Sequence, residues 1–252
     1  MNNIPVHAPL YTPTLTYGSN DCESLSALVE VDERLLRDLL TPTPFEYLAP
    51  YAWVEIVVLK DTFGVAPFAS GGVIVPARHS ASGVIGGYYA FCYIDTDEAL
   101  ALGREPFGYP KKYADITLEP TAAGVRGQIN CGTAKIKIDI SRDERAAPAV
   151  LPPKYPHLLL QVIPAAESDE ILLKRVIARD TTAESAFTVE YGEGTTHISA
   201  GRQTNELAWL AESRTVASTY ATGEFRSAYG RVLQTVEIGA ELQRDLPTVF
   251  RR

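Results

Sequence analysis

The chain reads as α+β and mainly β: an antiparallel sheet closed into a barrel or cone, with a few short helices. Three observations predict it. Short runs rich in Val, Ile and aromatic residues recur from Trp53 onward. Helical periodicity is confined to two brief stretches. So many strands leave edges exposed, and closure removes them.

Residues 1–20 are rich in Pro, Asn, Thr and Tyr without a period and read as an irregular arm; residues 21–252 read as one domain. Ser24 to Val31 alternates as a strand does. Asp32 then supplies an N-cap for a helix through Leu40, with Leu35, Leu36, Leu39 and Leu40 on its apolar face, and Thr41-Pro42-Thr43-Pro44 ends it. Strands follow at Trp53–Leu59, Gly72–Val75 and Val84–Ile94. Asp95-Thr96-Asp97 can cap a second helix through Leu102. Further strands are expected at Ala114–Leu118, Gly124–Ile129, Ala134–Ile140, His157–Ile163, Ile171–Ala178 and Ala186–Glu190. Gly192-Glu193-Gly194 turns the chain into Thr195–Ser199. Ser213–Tyr220, Glu224–Ala228 and Val232–Ile238 close the list. Arg142 to Pro153, charged and then Ala/Pro-rich, fits a linker or a connection inside one domain.

Composition removes several function classes. The chain has 252 residues, 46% hydrophobic and 21% charged, as an ordinary globular protein does. With 23 basic and 31 acidic residues the net charge is −8, which opposes a nucleic-acid groove. No apolar run approaches the roughly 18 residues of a membrane span, and Met1 to Thr12 lacks the pattern of a signal peptide. Cys22, Cys92 and Cys131 are widely spaced and odd in number, so neither a disulfide framework nor a metal pattern is expected. His7, His79, His157 and His197 have no metal-type spacing. The expectation is a cytoplasmic protein with no metal and no cofactor.

The chemistry concentrates in Gly103-Arg104-Glu105-Pro106-Phe107-Gly108-Tyr109-Pro110-Lys111-Lys112. A free lysine has a pKa near ~10.4, and only its neutral amine attacks a carbonyl. Lowering that value by about 3 units corresponds to ~4 kcal/mol. A second ammonium about 5 Å away contributes ~3 kcal/mol at an effective dielectric of about 20. Burial alone can lower a lysine by about 3–5 units. Pro110 favours an extended entry, and extended neighbours face opposite ways. Lys111 can then face the interior while Lys112 faces solvent, so desolvation of Lys111 is the expected route.

These residues resemble the lysine motif of the acetoacetate decarboxylase superfamily: Gly103, Arg104 and Glu105, a spacer ending at Pro110, then Lys111 and Lys112. The likeness extends upstream through Gly86, Tyr88, Tyr93, Asp95 and Ala99, and further to Glu55, Asp61-Thr62, Gly64 and Pro76. Near the end it takes in Val216-Ala217-Ser218 through Tyr229-Gly230. The resemblance implies a cone-like antiparallel barrel, a homo-oligomer, small carbonyl substrates and a Schiff base on Lys111, with Lys112 as the second lysine. (A lysine activated by its surroundings is a known feature of this family.) Of the family's decarboxylase partners, the first glutamate matches Glu55. The second falls on Ser70, and the N-terminal arginine falls near Cys22.

A lysine enamine serves decarboxylation and aldol chemistry alike, so the polar neighbours choose. Ser70 in place of a carboxylate leaves room for a second substrate. The resemblance therefore points to members that condense a 2-oxo acid such as pyruvate with an aldehyde and then dehydrate. A β-keto-acid decarboxylase and a non-catalytic binding domain are the alternatives. Arg78 and Arg104 are candidates for the substrate carboxylate. Tyr229 and Tyr109 are candidate phenols beside the imine, and Glu105 reads as a brace for the turn.

Overall fold

The computed structural model describes residues 16–132, 134–141, 151–168, 170–182, 184–200 and 207–236. In order these form β1 (Gly18–Glu30), α1 (Glu33–Leu40), β2 (Phe45–Tyr47), β3 (Tyr51–Leu59), β4 (Thr62–Phe63), β5 (Phe68–His79), β6 (Ile85–Ile94), α2 (Asp97–Phe107), β7 (Lys111–Tyr113), β8 (Asp115–Pro120), β9 (Gly124–Asn130), β10 (Ala134–Ser141), β11 (His157–Pro164), β12 (Ile171–Arg179), β13 (Ala186–Gly192), β14 (Gly194–Ala200), a 3-10 turn (Ala208–Leu210), β15 (Arg214–Arg226) and β16 (Arg231–Val236). The chain is thus mainly β with two α-helices.

A large sheet runs β13-β15-β1-β3-β5-β6-β11-β12-β16, with β2, β4 and β7 attached to its members; β14-β10-β9-β8 form a second sheet. Pairing is antiparallel except where β6 meets β7 and β11. Among the described residues no pairing joins β13 to β16, so the closed barrel is not among the observed pairings.

Three expectations are corrected. The irregular arm does not reach residue 20: Gly18 and Ser19 already pair with β4 and β15, because beyond Pro13 the arm has no proline to interrupt its N–H groups and it meets two strand edges there. Residues 1–15 lie outside the described residues, as do 142–150 of the expected linker and 237–238 of the last strand. The two strands expected between Ser213 and Ala228 form the single long β15. The second helix continues past Leu102 to Phe107. Thr96 is its N-cap residue but makes no side-chain cap bond, and the Asp95 carboxylate accepts the Ala69 N–H at 2.8 Å instead.

The central strands are covered on both faces, which is why Trp53–Leu59 shows almost no alternation in polarity. One face carries Leu25, Ala27, Val54, Ile56, Val73 and Val75 into a core shared with Ile129, Ile136 and Ile138 of the smaller sheet. The opposite face presents the residues between them: Ser24 and Ser26 of β1, Trp53, Glu55 and Val57 of β3, and Phe68 and Ser70 of β5. That face is the floor of a cavity of about 410 Å³.

Candidate active site

Register places the functional groups in a row. Ser26 pairs with Glu55, Glu55 with Gly72, Gly72 with Cys92, and Cys92 with Lys111. Partners across a sheet share a face, so Glu55 and Lys111 both face the cavity. Three strand spacings separate their backbones, roughly 14 Å, with the side-chain-free Gly72 between them.

The motif that looked like a turn is the end of α2. Pro106 is accepted within its last turn, and Gly108 ends the helix in the left-handed conformation at φ 79°. The N–H groups of Gly108 and Tyr109 reach back to the carbonyls of Arg104 and Gly103 at 3.0 and 3.2 Å. Pro110 then releases the chain into β7. Lys111 is 8% exposed, while Lys112 and Tyr113 are exposed. The Lys111 side chain lies along α2 and its Nζ donates to the Ala99 carbonyl at 2.7 Å. Gly103 makes this possible: a Cβ there would stand 2.4 Å from Lys111 Cε and 2.7 Å from Nζ. Burial is the largest cause holding the Lys111 pKa below the ordinary lysine value. The Arg179 guanidinium adds to the depression, and Cys92, Tyr17 and Asp95 oppose it in part.

Across the row, Glu55 is 2% exposed and is the one carboxylate among the described residues lining the cavity. Its Oε2 accepts from Lys154 Nζ at 2.9 Å, and its Oε1 from the Tyr89 hydroxyl at 3.4 Å. Burial pushes this carboxyl upward, but Lys154 more than offsets that, leaving it below the usual carboxylate range. Lys154 loses by burial and gains more from Glu55, so its pKa is raised. It also donates to Ser26 Oγ at 3.1 Å and sits between the rings of Trp53 and Tyr155, 5.5 and 5.1 Å from their centroids.

The third cation is Arg179 at the end of β12, paired in register with His157. It donates to the Ala228 carbonyl at 3.0 Å, the Tyr109 hydroxyl at 3.4 Å, the Tyr17 hydroxyl at 3.3 Å and Ser227 Oγ. Tyr109 lies 2.8 Å from His157 Nδ1. The other ring nitrogen of His157 is Nε2. That atom has no hydrogen-bond partner among the described residues. Burial brings the His157 pKa down to about 3, so the ring is neutral. No group of three or more His, Cys, Asp or Glu among the described residues could hold a metal.

The structure thus brings together Lys111, Glu55, Ser70 and Tyr109 of the expected set. Ser70 is half-buried, and its Oγ donates to the Tyr93 carbonyl at 3.2 Å. The rest lie elsewhere. Arg78, at the far end of β5, pairs on the surface with Glu46 and its side chain is 50% exposed. Arg104 is exposed because the last turn of α2 points it away from the face Lys111 covers. Tyr229 is 61% exposed and does not line the cavity. Lys112 is turned out by strand alternation. Glu105 is exposed, and its carbonyl, accepting from Gln161 Nε2 at 2.6 Å, braces the helix end. Sequence reasoning missed Arg179, Lys154, Tyr17 and His157. Arg179 had one signal: it ends the apolar run Val176-Ile177-Ala178 with a charge.

The family model for acetoacetate decarboxylase matches residues 3–236. An acetoacetate decarboxylase of Burkholderia ambifaria is 26% identical over 195 residues, covering 73% of this chain and 76% of that protein. The crystal structure of acetoacetate decarboxylase from Legionella pneumophila superposes with a TM-score of 0.74 at 22% identity, over 87% of this chain and 88% of that one. The enduracididine biosynthesis enzyme MppR, complexed with the condensation product of pyruvate and imidazole 4-carboxaldehyde, superposes with a TM-score of 0.69 at 15% identity, over 87% and 89%. Among the described residues no helix is long and apolar enough to cross a membrane. With a match that spans nearly its whole length, the chain belongs to the acetoacetate decarboxylase family.

Proposed function

We propose that the protein is a Schiff-base lyase in which Lys111 forms an imine with a 2-oxo acid such as pyruvate, and the derived enamine adds to an aldehyde with loss of water. The observation that carries this reading is a buried amine in a cavity lined, among the described residues, by a single carboxylate. Neutral Lys111 adds to the carbonyl and the carbinolamine loses water to give the iminium. The iminium acidifies the adjacent C–H. Glu55, kept ionised by Lys154, takes that proton and leaves the enamine. The enamine carbon attacks the aldehyde, whose alkoxide takes the proton held by Glu55; Glu55 then removes the second α proton and passes it to the hydroxyl, which leaves as water and gives a conjugated iminium. Hydrolysis then frees the product and Lys111.

Room supports the same reading. A three-carbon oxo acid fills only part of about 410 Å³. The remainder is lined largely by Phe187, Val189, Ala221 and Phe225, which suit the apolar body of an acceptor. A neighbouring structure that holds a pyruvate–aldehyde condensation product supports it by analogy of fold.

A second reading, acetoacetate decarboxylase, is favoured by the Burkholderia relatives. It has to dispense with a carboxylate at position 70. Pyruvate with an aromatic aldehyde should yield an ultraviolet-absorbing conjugated product that is lost in Lys111→Ala. Rapid CO2 release from acetoacetate with no such product would establish the decarboxylase instead.

A further inference from the structure

Arg179 is 2% exposed, lines the cavity, and has no carboxylate partner among the described residues. Its four hydrogen bonds go to a backbone carbonyl and three hydroxyls. A guanidinium has five N–H donors, so one hydrogen on Nη1 has no acceptor among the described residues. A buried cation matched only by neutral oxygens is short of a counter-charge. The amine of Lys111 shares a neighbour with it and feels its charge: Lys111 Nζ and Arg179 Cζ lie 5.8 and 5.6 Å from the centroid of the same Tyr109 ring, and Arg179 lowers the Lys111 pKa. The guanidinium is also fixed, with Cζ 3.9 Å above the Phe107 ring, so it is preorganised for a planar anion.

We propose that Arg179 receives the carboxylate of the substrate and thereby restricts the Lys111 imine to oxo acids. The proposal rests on the Schiff-base reading of Lys111 and adds the residue that selects its substrate. Arg78 and Arg104 have no part in it, since neither reaches the cavity. The bound carboxylate supplies the missing charge and accepts the remaining Nη1 hydrogen. It holds the carbonyl carbon on the Lys111 side, leaving the methyl end toward Glu55. One competitor for the role is internal. The Tyr17 phenol touches Arg179, and although burial opposes its ionisation, Arg179 and Lys111 bring its pKa below the ordinary tyrosine value. An ionised Tyr17 would fill the place of the carboxylate and abolish any preference for charged substrates.

The test compares pyruvate with its uncharged methyl ester by borohydride trapping, reading the concentration that half-saturates the adduct on Lys111. In the unaltered protein pyruvate should half-saturate at a concentration about 10-fold or more below the ester. Arg179→Gln should raise the pyruvate value about 10- to 100-fold and leave the ester within about 3-fold, and Arg179→Lys should recover part of the loss. Equal half-saturation of the two compounds in the unaltered protein overturns the assignment. So does an Arg179→Gln protein, shown folded by its thermal transition, that weakens both alike. Should Arg179→Gln fail to fold, the comparison in the unaltered protein decides alone. Absence of a Lys111 adduct with either compound would instead overturn the Schiff-base reading itself, and this proposal with it.

Discussion

Two lysines line one cavity and are pushed in opposite directions. Lys111 and Lys154 are both largely withdrawn from solvent, and both lose by burial. Lys154 has Glu55 at 2.9 Å and remains an ammonium. Lys111 has a backbone carbonyl at 2.7 Å and a guanidinium nearby, and its proton is loosened. The difference teaches that depth alone does not set the direction in which a lysine's pKa moves. What decides is whether a carboxylate is placed beside it. The row from Ser26 to Lys111 supplies one carboxylate, and it stands at the Lys154 end.

The largest effect expected is on the reactive amine. Lys111→Met should remove every pyruvate adduct detectable by borohydride trapping and mass spectrometry. Because it removes a buried amine whose charged form is disfavoured by burial, it should also stabilise the fold by about 1 kcal/mol near neutral pH, measured by urea unfolding.

Removing the carboxylate should break the comparison itself. Glu55→Gln strands Lys154 without its anion, which costs about 3–5 kcal/mol. It also makes Lys154 resemble Lys111, so a second adduct, on Lys154, should appear in the same mapping. Proton–deuterium exchange at the pyruvate methyl should fall along with it.

A smaller change tests position. Gly103→Ala places a methyl group where Lys111 Cε and Nζ lie. It should slow trapping about 10-fold or more and cost about 1–3 kcal/mol, the strain of overpacking outweighing the gain in helix propensity.

The smallest effect is in pH. A lysine whose pKa is lowered by folding binds fewer protons folded than unfolded. The stability gap between Lys111→Met and the unaltered protein should therefore be widest below the folded pKa of Lys111. It should narrow as pH rises through the window up to the unfolded value of ~10.4. The trapping rate should rise with a midpoint at the lower edge of that window, the folded pKa of Lys111, which lies below the ordinary lysine value.

Much of this molecule could be read from its residues. Strands such as Ala114–Leu118 and His157–Ile163 carry turn residues at their ends and β-branched or leucine-rich interiors, and they form β8 and β11 nearly where expected. The motif placed Lys111 inward and Lys112 outward by alternation. The helix expected through Leu102 runs on to Phe107, through Gly103 and Pro106. In the fold Gly103 serves Lys111, and Pro106 sits one residue before the helix ends at Phe107, so it has no further turn to disrupt. The three basic or imidazole partners were out of reach. Lys154 sits in a coil segment laid over β3, and Arg179 and His157 meet only through the pairing of β11 with β12. Each stands alone in sequence, with no spacing to announce it. Tyr17 precedes β1, next to residues that the composition marks as irregular. Long-range register assembled the cavity, and register is what local patterns leave open.

The central claim is that the unpaired lysine, and not the paired one, reacts with carbonyl compounds. Peptide mapping after borohydride reduction in the presence of pyruvate tests it most directly. The account predicts a single adduct at Lys111, with Lys154 and Lys112 unmodified. An adduct at Lys154 while Lys111 remains free would contradict it.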